Sequence, residues 1–382
     1  MLLPPVEITH EILKCCARPH YVGLSIMTGT NDTPSEIIAR RLLRQAEWCE
    51  KLGSNLYSQL LRESAADVRG LGVCWAVLQD HHADPPGSAL ALRFLGAVHR
   101  LVLEGKSPQL AACYPSMRCD AGCDDLWPRF QKFVGEYENE LRRLVYLPVQ
   151  TNEVSRCAAL LGGFLTVSQR TGLPLRLLEM GSSAGLLLRW DHYRYDEGNE
   201  GWGDPASPVH ISGAFADAWP GFNSTVRVAE RCGCDNFPID PTTEEGKLTL
   251  QSYVWPDQVK RFHQLAAAID IARQVPAQID KANAADWIEM MLEVESKNVT
   301  TVVYHSIVWQ YLLPADRARI QRAIESAALS SSPDRPLAWL RFEPAERHAE
   351  VRLQCWPGGD DQLLAQSGFH GRPVKWLGNK NC

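Results

Sequence analysis

The chain is organised around the segment Leu175-Arg176-Leu177-Leu178-Glu179-Met180-Gly181-Ser182-Ser183-Ala184-Gly185-Leu186-Leu187-Leu188. Apolar residues lead into a Glu, small residues follow, and apolar residues then return. This pattern predicts a buried parallel strand, a tight turn and the start of a helix. Backbone N–H groups at such a helix start favour a phosphate or a carboxylate. The stretch therefore predicts a ligand site, with Glu179 at the carboxyl end of the strand.

The composition limits both the class of protein and its partners. The chain has 382 residues, 45% hydrophobic and 22% charged, which predicts a large packed core and two domains. A formal net charge of -6 disfavours nucleic acid and anionic membrane surfaces as partners. No secretory leader or bilayer-spanning run is recognisable, so we expect a cytoplasmic protein. Its 12 cysteines are expected to be reduced and, because they lack metal-ligand spacing, to bind no metal.

Hydrophobic periodicity separates an N-terminal helical part from a C-terminal α/β part. Residues 1–149 show helical spacing and predict an all-helical N-terminal or cap domain. Residues 150–382 alternate strands with helices, and residues 197–223 form an inserted loop or hairpin in this domain. Two consecutive strands, at 351–356 and 374–377, end the chain with a Gly-Gly-Asp turn between them. This order predicts a doubly wound α/β sheet, mainly parallel with an antiparallel edge.

The turn at residues 181–185 is compatible with two chemistries. Its sequence fits the G-x-S-x-G nucleophile elbow, in which Ser183 would be the nucleophile and His348 or His370 the base. That fold has several strands before its elbow and a glycine-rich oxyanion loop upstream. The preceding residues here have helical spacing and contain no such loop. A serine hydrolase is therefore the less favoured alternative.

The favoured interpretation is the cofactor loop of a class I methyltransferase-like, Rossmann-like sheet that binds S-adenosylmethionine. The turn follows the first strand of the sheet, as that layout requires. The loop would pack beneath the methionine part of the cofactor, an acid after the second strand would accept the ribose hydroxyls, and a polar residue after the third strand would face the adenine. The predicted cofactor-binding residues are Glu179, Gly181, Ser183, Gly185, Asp235, Asn283 and Asp286.

The substrate side of the predicted cleft is formed by three further segments. Gln150, Asn152 and Glu153 open a helix expected to face the turn, and Arg194 lies on the helix expected after the turn. His305 ends the fourth predicted strand and is the candidate catalytic base. The acidic composition favours a small-molecule or protein acceptor. A non-catalytic binding protein with the same fold is the alternative from another class.

Several segments of the chain together resemble one protein family, the mostly bacterial domain of unknown function 2332. The resemblance covers most of the chain and implies a methyltransferase-like C-terminal part, with no established substrate. The segments that carry it are Gln150-Thr151-Asn152-Glu153-Val154, residues 178–186, Asp191-His192-Tyr193-Arg194-Tyr195, residues 233–240, Val254-Trp255-Pro256 and residues 305–312.

Overall fold

Two compact units make up the protein in its computed structural model, which describes residues 32–378 except 86, 118–122, 151, 218, 220 and 295. The helical unit contains residues 1–151 and 244–263, and the β/α unit contains residues 152–243 and 264–382. The sequence did not predict that residues 244–263 belong with the helical unit. Among the described residues, no helix combines the length and the apolar character that crossing a membrane requires.

Helices form the whole of the regular structure described in the helical unit. Helix α1 begins where Thr33 Oγ1 accepts a hydrogen bond from Glu36 N, with Pro at its first position. In chain order, the described α-helices of the protein are α1 (Pro34–Lys51), α2 (Asn55–Arg69), α3 (Val73–Leu78), α4 (Leu90–Leu103), α5 (Pro108–Ala111), α6 (Leu126–Glu136), α7 (Glu138–Leu144), α8 (Arg156–Thr171), α9 (Glu244–Ser252), α10 (Val259–Gln274), α11 (Ala284–Glu293) and α12 (Pro314–Leu329). Four described segments are 3-10 helices, namely Gln79–His81, Pro115–Met117, Leu186–His192 and Trp309–Tyr311.

One expectation about cysteine is wrong in the helical unit. Cys113 and Cys123 form a disulfide, although the sequence predicted reduced thiols throughout. Buried reduced thiols do occur in both units, for example at Cys74 and Cys157. Cys119, which the sequence places beside the disulfide, lies outside the described residues.

A mainly parallel sheet with an antiparallel edge organises the β/α unit, as the sequence predicted. Its strand order is β6-β5-β1-β7-β8-β9-β10-β11, parallel from β6 to β8 and antiparallel from β8 onwards. The described strands are β1 (Leu175–Met180), β2 (Arg194–Glu197), β3 (Glu200–Trp202), β4 (His210–Ser212), β5 (Val228–Asp235), β6 (Gln278–Lys281), β7 (Thr300–Ser306), β8 (Leu337–Pro344), β9 (Ala349–Trp356), β10 (Asp361–Ser367) and β11 (Val374–Trp376).

Helices cover both faces of this sheet. Helix α8 packs against β7 to β11 on one face, while α11 packs against β1 and β5 and α12 against β8. Apolar side chains of β1, β5, β7 and β8 form one buried cluster with α11 and α12. The direction of winding reverses between β1 and β7, and the carboxyl ends of two parallel strands at such a reversal form a crevice that commonly binds ligands.

Three local features differ from the sequence-based expectation. The 3-10 helix Leu186–His192 follows the turn where the start of a longer helix was expected. Residues 194–212 contribute a small separate sheet of order β3-β2-β4, where an inserted loop or hairpin over residues 197–223 was expected. Strand β10 was not predicted, so the Gly-Gly-Asp turn joins β9 to β10 and not β9 to the last strand.

Candidate functional site

Residues 181–185, the glycine loop, leave β1 at the carboxyl edge of the main sheet. Gly181, Ser183 and Gly185 have left-handed backbone conformations, with φ of 69°, 51° and 65°. A Cβ atom on Gly181 would lie 2.4 Å from Val308 Cγ2, and one on Gly185 would lie 2.6 Å from a side chain of β6. Both positions therefore require glycine for backbone conformation and for packing, whatever ligand the loop binds.

The backbone N–H groups of residues 182–185 are all hydrogen-bonded within the chain. The sequence-based expectation of an anion site at these four groups is therefore wrong, because none has a free donor for a phosphate or carboxylate. The four bonds are Ser182 N to Cys234 O (3.0 Å), Ser183 N to Asp235 Oδ2 (3.0 Å), Ala184 N to Asn152 Oδ1 (3.2 Å) and Gly185 N to Ser182 O (2.7 Å).

Asp235 lies at the end of β5, directly beside the glycine loop. Its Oδ2 accepts from Ser183 N, and its Oδ1 accepts from Phe237 N at 2.9 Å. The side chain is half-buried. Because each carboxylate oxygen can accept two hydrogen bonds, Asp235 can still accept from hydroxyl groups of a ligand.

Asn152 holds the glycine loop from the segment that precedes α8. Its Nδ2 donates to Ser183 Oγ at 3.0 Å, and its Oδ1 accepts from Ala184 N at 3.2 Å. The structure thus brings together two segments that lie about thirty residues apart in the chain. The partner of Ser183 in this contact is an amide, which cannot serve as the base of a hydrolase.

Asn152→Ala is expected to lower the free energy of unfolding by about 1 to 3 kcal/mol, because Ala184 N–H loses its acceptor inside a packed loop. Urea denaturation followed by circular dichroism measures this change. Asn152→Asp is the comparison variant, since it keeps an acceptor for Ala184 N and replaces the donor to Ser183 Oγ by a charged carboxylate oxygen. An alanine variant as stable as the wild type would show that this contact does not hold the loop.

Glu179 is a buried carboxyl at the base of the loop, with a relative exposure of 2%. Burial raises its pKa to about 8, and the nearby Tyr304 hydroxyl and the Arg189 guanidinium oppose the rise. Among the described residues, Glu179 Oε2, Tyr304 Oη and Ser306 Oγ are buried atoms that no group meets with hydrogen-bond geometry. The register of β1 and β7 and their alternation place all three side chains on the same face of the sheet. Buried polar groups of this kind normally have a water or ligand partner.

Arg189 contacts the glycine loop and was not predicted from the sequence. Its guanidinium is buried and donates to the carbonyl oxygens of Gly185 (2.7 Å) and Ala184 (3.4 Å), and its Nε donates to Val275 O at 3.0 Å. The side chain therefore fixes the end of the glycine loop from beneath. An arginine inside the apolar run Leu186–Trp190 was the available signal, since a buried charge needs such partners.

His305, the last residue but one of β7, lies on the opposite face of the sheet from Glu179. In the β1–β7 register it pairs with Met180, whereas Glu179 pairs with Tyr304. Its Nδ1 is 2.6 Å from Glu343 Oε1, and its ring stacks on Trp309 with centroids 5.1 Å apart. Glu343 Oε1 also accepts from the backbone N of residues 308 and 309, at 3.0 and 3.2 Å. Glu343 was not predicted, although it lies at the carboxyl end of β8.

Comparison with known proteins identifies the family. A family model described as an uncharacterized protein conserved in bacteria, domain of unknown function 2332, matches residues 39–376. The chain belongs to this family. No curated protein and no solved structure matches the chain. The description of the family states no activity, so any function has to be argued from the site itself.

Residues from four of the segments that carry the resemblance to the domain of unknown function 2332 family lie together at one edge of the main sheet. Asn152 contacts the glycine loop, Asp235 accepts from it, and Val308 packs against Gly181. In the same way Arg231 of β5 donates to both carboxylate oxygens of Asp191 at 2.6 Å. Residues of these segments are therefore in contact with one another within the β/α unit.

Five of the predicted site residues have other surroundings. Asn283 caps α11, accepting from Ala285 N at 2.8 Å and donating to Asp316 Oδ2 at 3.2 Å. Asp286 is exposed and forms an ion pair with Arg319 at 2.8 Å. Arg194 begins β2, instead of lying on a helix, and donates hydrogen bonds to Asp196 and Gly203. Glu153 is buried and accepts a hydrogen bond from Ser155 N. Gln150 belongs to the helical unit.

The described residues contain no group of three or more His, Cys, Asp or Glu side chains placed to hold a metal ion. The glycine loop and its neighbours present a tight turn, one half-buried carboxylate and a buried face of hydroxyl and carboxyl groups. Those are groups that recognise hydroxyls and amines.

Proposed function

We propose that the β/α unit binds S-adenosylmethionine at the glycine loop and is a class I methyltransferase-like enzyme. The strand order β6-β5-β1-β7-β8 corresponds to a 3-2-1-4-5 arrangement, with the loop after the first strand and Asp235 after the second. Open α/β sheets bind ligands at this position, where the strand order reverses.

The observation that carries the proposal is that the backbone N–H groups of the loop already donate hydrogen bonds within the chain. Dinucleotide-binding loops use free backbone N–H groups for a pyrophosphate. Here the N–H groups of residues 182–185 are occupied by Asn152, Asp235 and backbone carbonyls. S-adenosylmethionine combines a nucleoside with an amino acid and carries no phosphate. A loop whose N–H groups are already hydrogen-bonded thus favours this cofactor over NAD, FAD or a nucleoside triphosphate.

The residues around the loop fit the parts of such a cofactor. The remaining acceptor capacity of Asp235 suits the two ribose hydroxyls, and the loop supports the methionine part. Glu179, whose pKa is about 8, is largely protonated at neutral pH and can donate a hydrogen bond as well as accept one. Asn283 and Asp286 are left out of this assignment because their side chains cap and brace α11.

S-adenosylmethionine would supply an activated methyl group, which moves to the acceptor while the sulfur keeps the electron pair of the broken bond. The protein's part is positioning and, for a hydroxyl or amine acceptor, removal of one proton. His305, the base expected from the sequence, is left out of this assignment because it lies on the opposite face of the sheet from Glu179, with Nδ1 toward Glu343. A small molecule or a protein side chain is the expected acceptor.

The test is isothermal titration calorimetry of the full chain with S-adenosylmethionine and S-adenosylhomocysteine, beside NADH and ATP. We expect saturable binding of the first two and none of the phosphate-bearing ligands. Asp235→Asn should weaken binding at least about tenfold through the ribose contacts, while Asp270→Ala on the exposed face of α10 should not change it. Absence of binding to both sulfur compounds would contradict the proposal, and labelling of Ser183 by a fluorophosphonate would favour the hydrolase alternative.

A further inference from the structure

A second concave site lies on the other face of the same sheet, outside the glycine loop. It is a cavity of about 520 Å³, between α12 and the strands β8, β9 and β10. A cavity of this size fits a small organic ligand. Aromatic and charged side chains line it together, among them His305, Trp309, Trp339, Arg341, Glu343 and Trp356.

Four carboxyl side chains and two guanidinium groups line the cavity, and both guanidinium groups are bound to carboxylates of the lining. Asp361 accepts hydrogen bonds from both Arg341 and Arg352, and Arg352 also donates to Glu350 at 3.1 Å. The Arg341 guanidinium lies over the Trp339 ring, 4.5 Å from its centroid, and occupies the place where a ligand cation would stack. The cavity therefore has no surplus of cationic groups for an anion and no free aromatic cage around Trp339 for a cation.

The unused hydrogen-bonding atoms of the lining are a mixture of donors and acceptors. His305 is fully buried, and because its Nδ1 faces Glu343, its Nε2 is the ring acceptor. Among the described residues, His305 Nε2, Glu343 Oε2, Trp339 Nε1 and Arg341 Nε are buried atoms without a hydrogen-bond partner. Two of these atoms accept and two donate, and all four belong to residues that line the cavity. A hydroxyl group both donates and accepts, so a ligand with several hydroxyls can satisfy this set.

The aromatic side chains add flat apolar surface beside these polar atoms. Trp309 stacks on His305 at an interplanar angle of 15°, and Trp339 lies 5.7 Å from Trp309 between ring centroids. Trp356 lines the same cavity and is half-buried. Indole rings with one polar edge pair an apolar contact with a hydrogen bond. The C–H face of a pyranose or cyclitol ring fits such a surface while its hydroxyls reach the polar atoms.

We propose that this cavity binds a neutral polyhydroxylated ring, a sugar or a cyclic polyol, with a ligand hydroxyl donating to His305 Nε2. Glu343 positions the imidazole, and the indole rings support the ring face of the ligand. The proposal concerns binding at the cavity and does not depend on cofactor binding at the glycine loop.

The test is saturation-transfer-difference NMR of the full chain with methyl glucoside, methyl galactoside, N-acetylglucosamine and myo-inositol, each titrated separately. We expect saturable transfer from the protein to the ring protons of at least one of them. His305→Phe, which keeps a ring in the same place and removes Nε2, and Trp309→Ala should each weaken that binding about tenfold or more. Trp127→Ala in the helical unit is the control and should bind like the wild type.

Three outcomes would overturn the proposal. The first is the absence of saturable binding by all four polyols. The second is binding that both cavity variants retain, since it would place the ligand elsewhere. The third is binding of choline or inorganic phosphate, titrated in parallel, that is lost in both cavity variants, because the cavity would then select a charged group. Each variant is first compared with the wild type by circular dichroism, and Glu343→Gln, of nearly unchanged shape, replaces any variant that fails to fold.

Discussion

Glu179→Gln is expected to make the protein more stable, by an amount that grows as the pH rises from about 5 to about 8. Burial raises the pKa of the native Glu179 carboxyl to about 8, whereas the ordinary value is 4.5. Between these two values the native state binds more protons than the unfolded state, so wild-type stability falls as the pH rises. Below pH 4.5 the carboxyl is protonated in both the native and the unfolded state. Above pH 8 the wild type bears the full free-energy cost of ionising this carboxyl in the core.

The size of the effect follows from the same two pKa values. Within the window, the stability difference between Glu179→Gln and the wild type should increase by about 1.4 kcal/mol per pH unit, and it should be constant outside the window. Glutamine keeps the shape of the side chain and carries no charge. Urea denaturation at a series of pH values measures the difference, which removes the contributions of all groups common to both proteins.

Glu293→Gln, on the exposed end of α11, is the matched control for this series. Its difference from the wild type should stay nearly constant over the same pH values. If the Glu179 difference were equally constant, the native carboxyl would titrate like the unfolded one, which would contradict its proposed role as a neutral hydrogen-bond donor to the cofactor.

The sequence predicted the parts of the site that depend on local pattern. The apolar run before Glu179 and the small residues after it predict a buried strand and a turn. Because the carboxyl ends of parallel strands lie at the same edge of a sheet, Asp235 is predicted near this turn. The same pattern could not decide between two roles for Asn283. An Asn that follows a strand and precedes a helix caps the helix as readily as it contacts a ligand, and here it does the former.

The sequence could not predict the register and contacts of strands that are distant in the chain. Whether His305 and Glu179 share a face depends on the register of β1 and β7, and a shift of one residue would reverse it. Strand β10 was missed because its Asp and Gln residues interrupt the apolar alternation, while its partner β9 supplies the hydrogen bonds that stabilise it. Arg189 was missed because its partners are backbone carbonyls, which no side-chain pattern reports.

Gly181→Ala is expected to be among the most destabilising single substitutions in the β/α unit, at about 2 to 4 kcal/mol. Two costs add. A left-handed φ of 69° is unfavourable for alanine by about 1 to 2 kcal/mol, and the new Cβ would lie 2.4 Å from Val308 Cγ2. The short valine side chain cannot swing away, and Val308 N is held at 3.0 Å from Glu343 Oε1.

The two costs can be separated because the chain contains a suitable reference glycine. Gly172, at the end of α8, has a φ of 65° and nothing within 4 Å of its Cβ position, so Gly172→Ala measures the backbone cost alone. Combining Gly181→Ala with Val308→Ala should remove the 2.4 Å contact and leave one of 3.0 Å to the remaining Cβ, so the cost of the Gly181 change should fall toward the Gly172 value. Chemical denaturation of the four proteins of this double-mutant cycle measures the coupling.

A coupling near zero would show that Val308 does not press on the loop. A favourable coupling of about 1 kcal/mol or more would establish that the segment after β7 supports the glycine loop from one side. The same segment donates to Glu343 from its backbone, so a movement of Val308 would be felt both at the loop and at the His305–Glu343 pair. The double variant therefore also tests whether the two sites on opposite faces of the sheet respond together, by repeating the S-adenosylmethionine and polyol titrations on it.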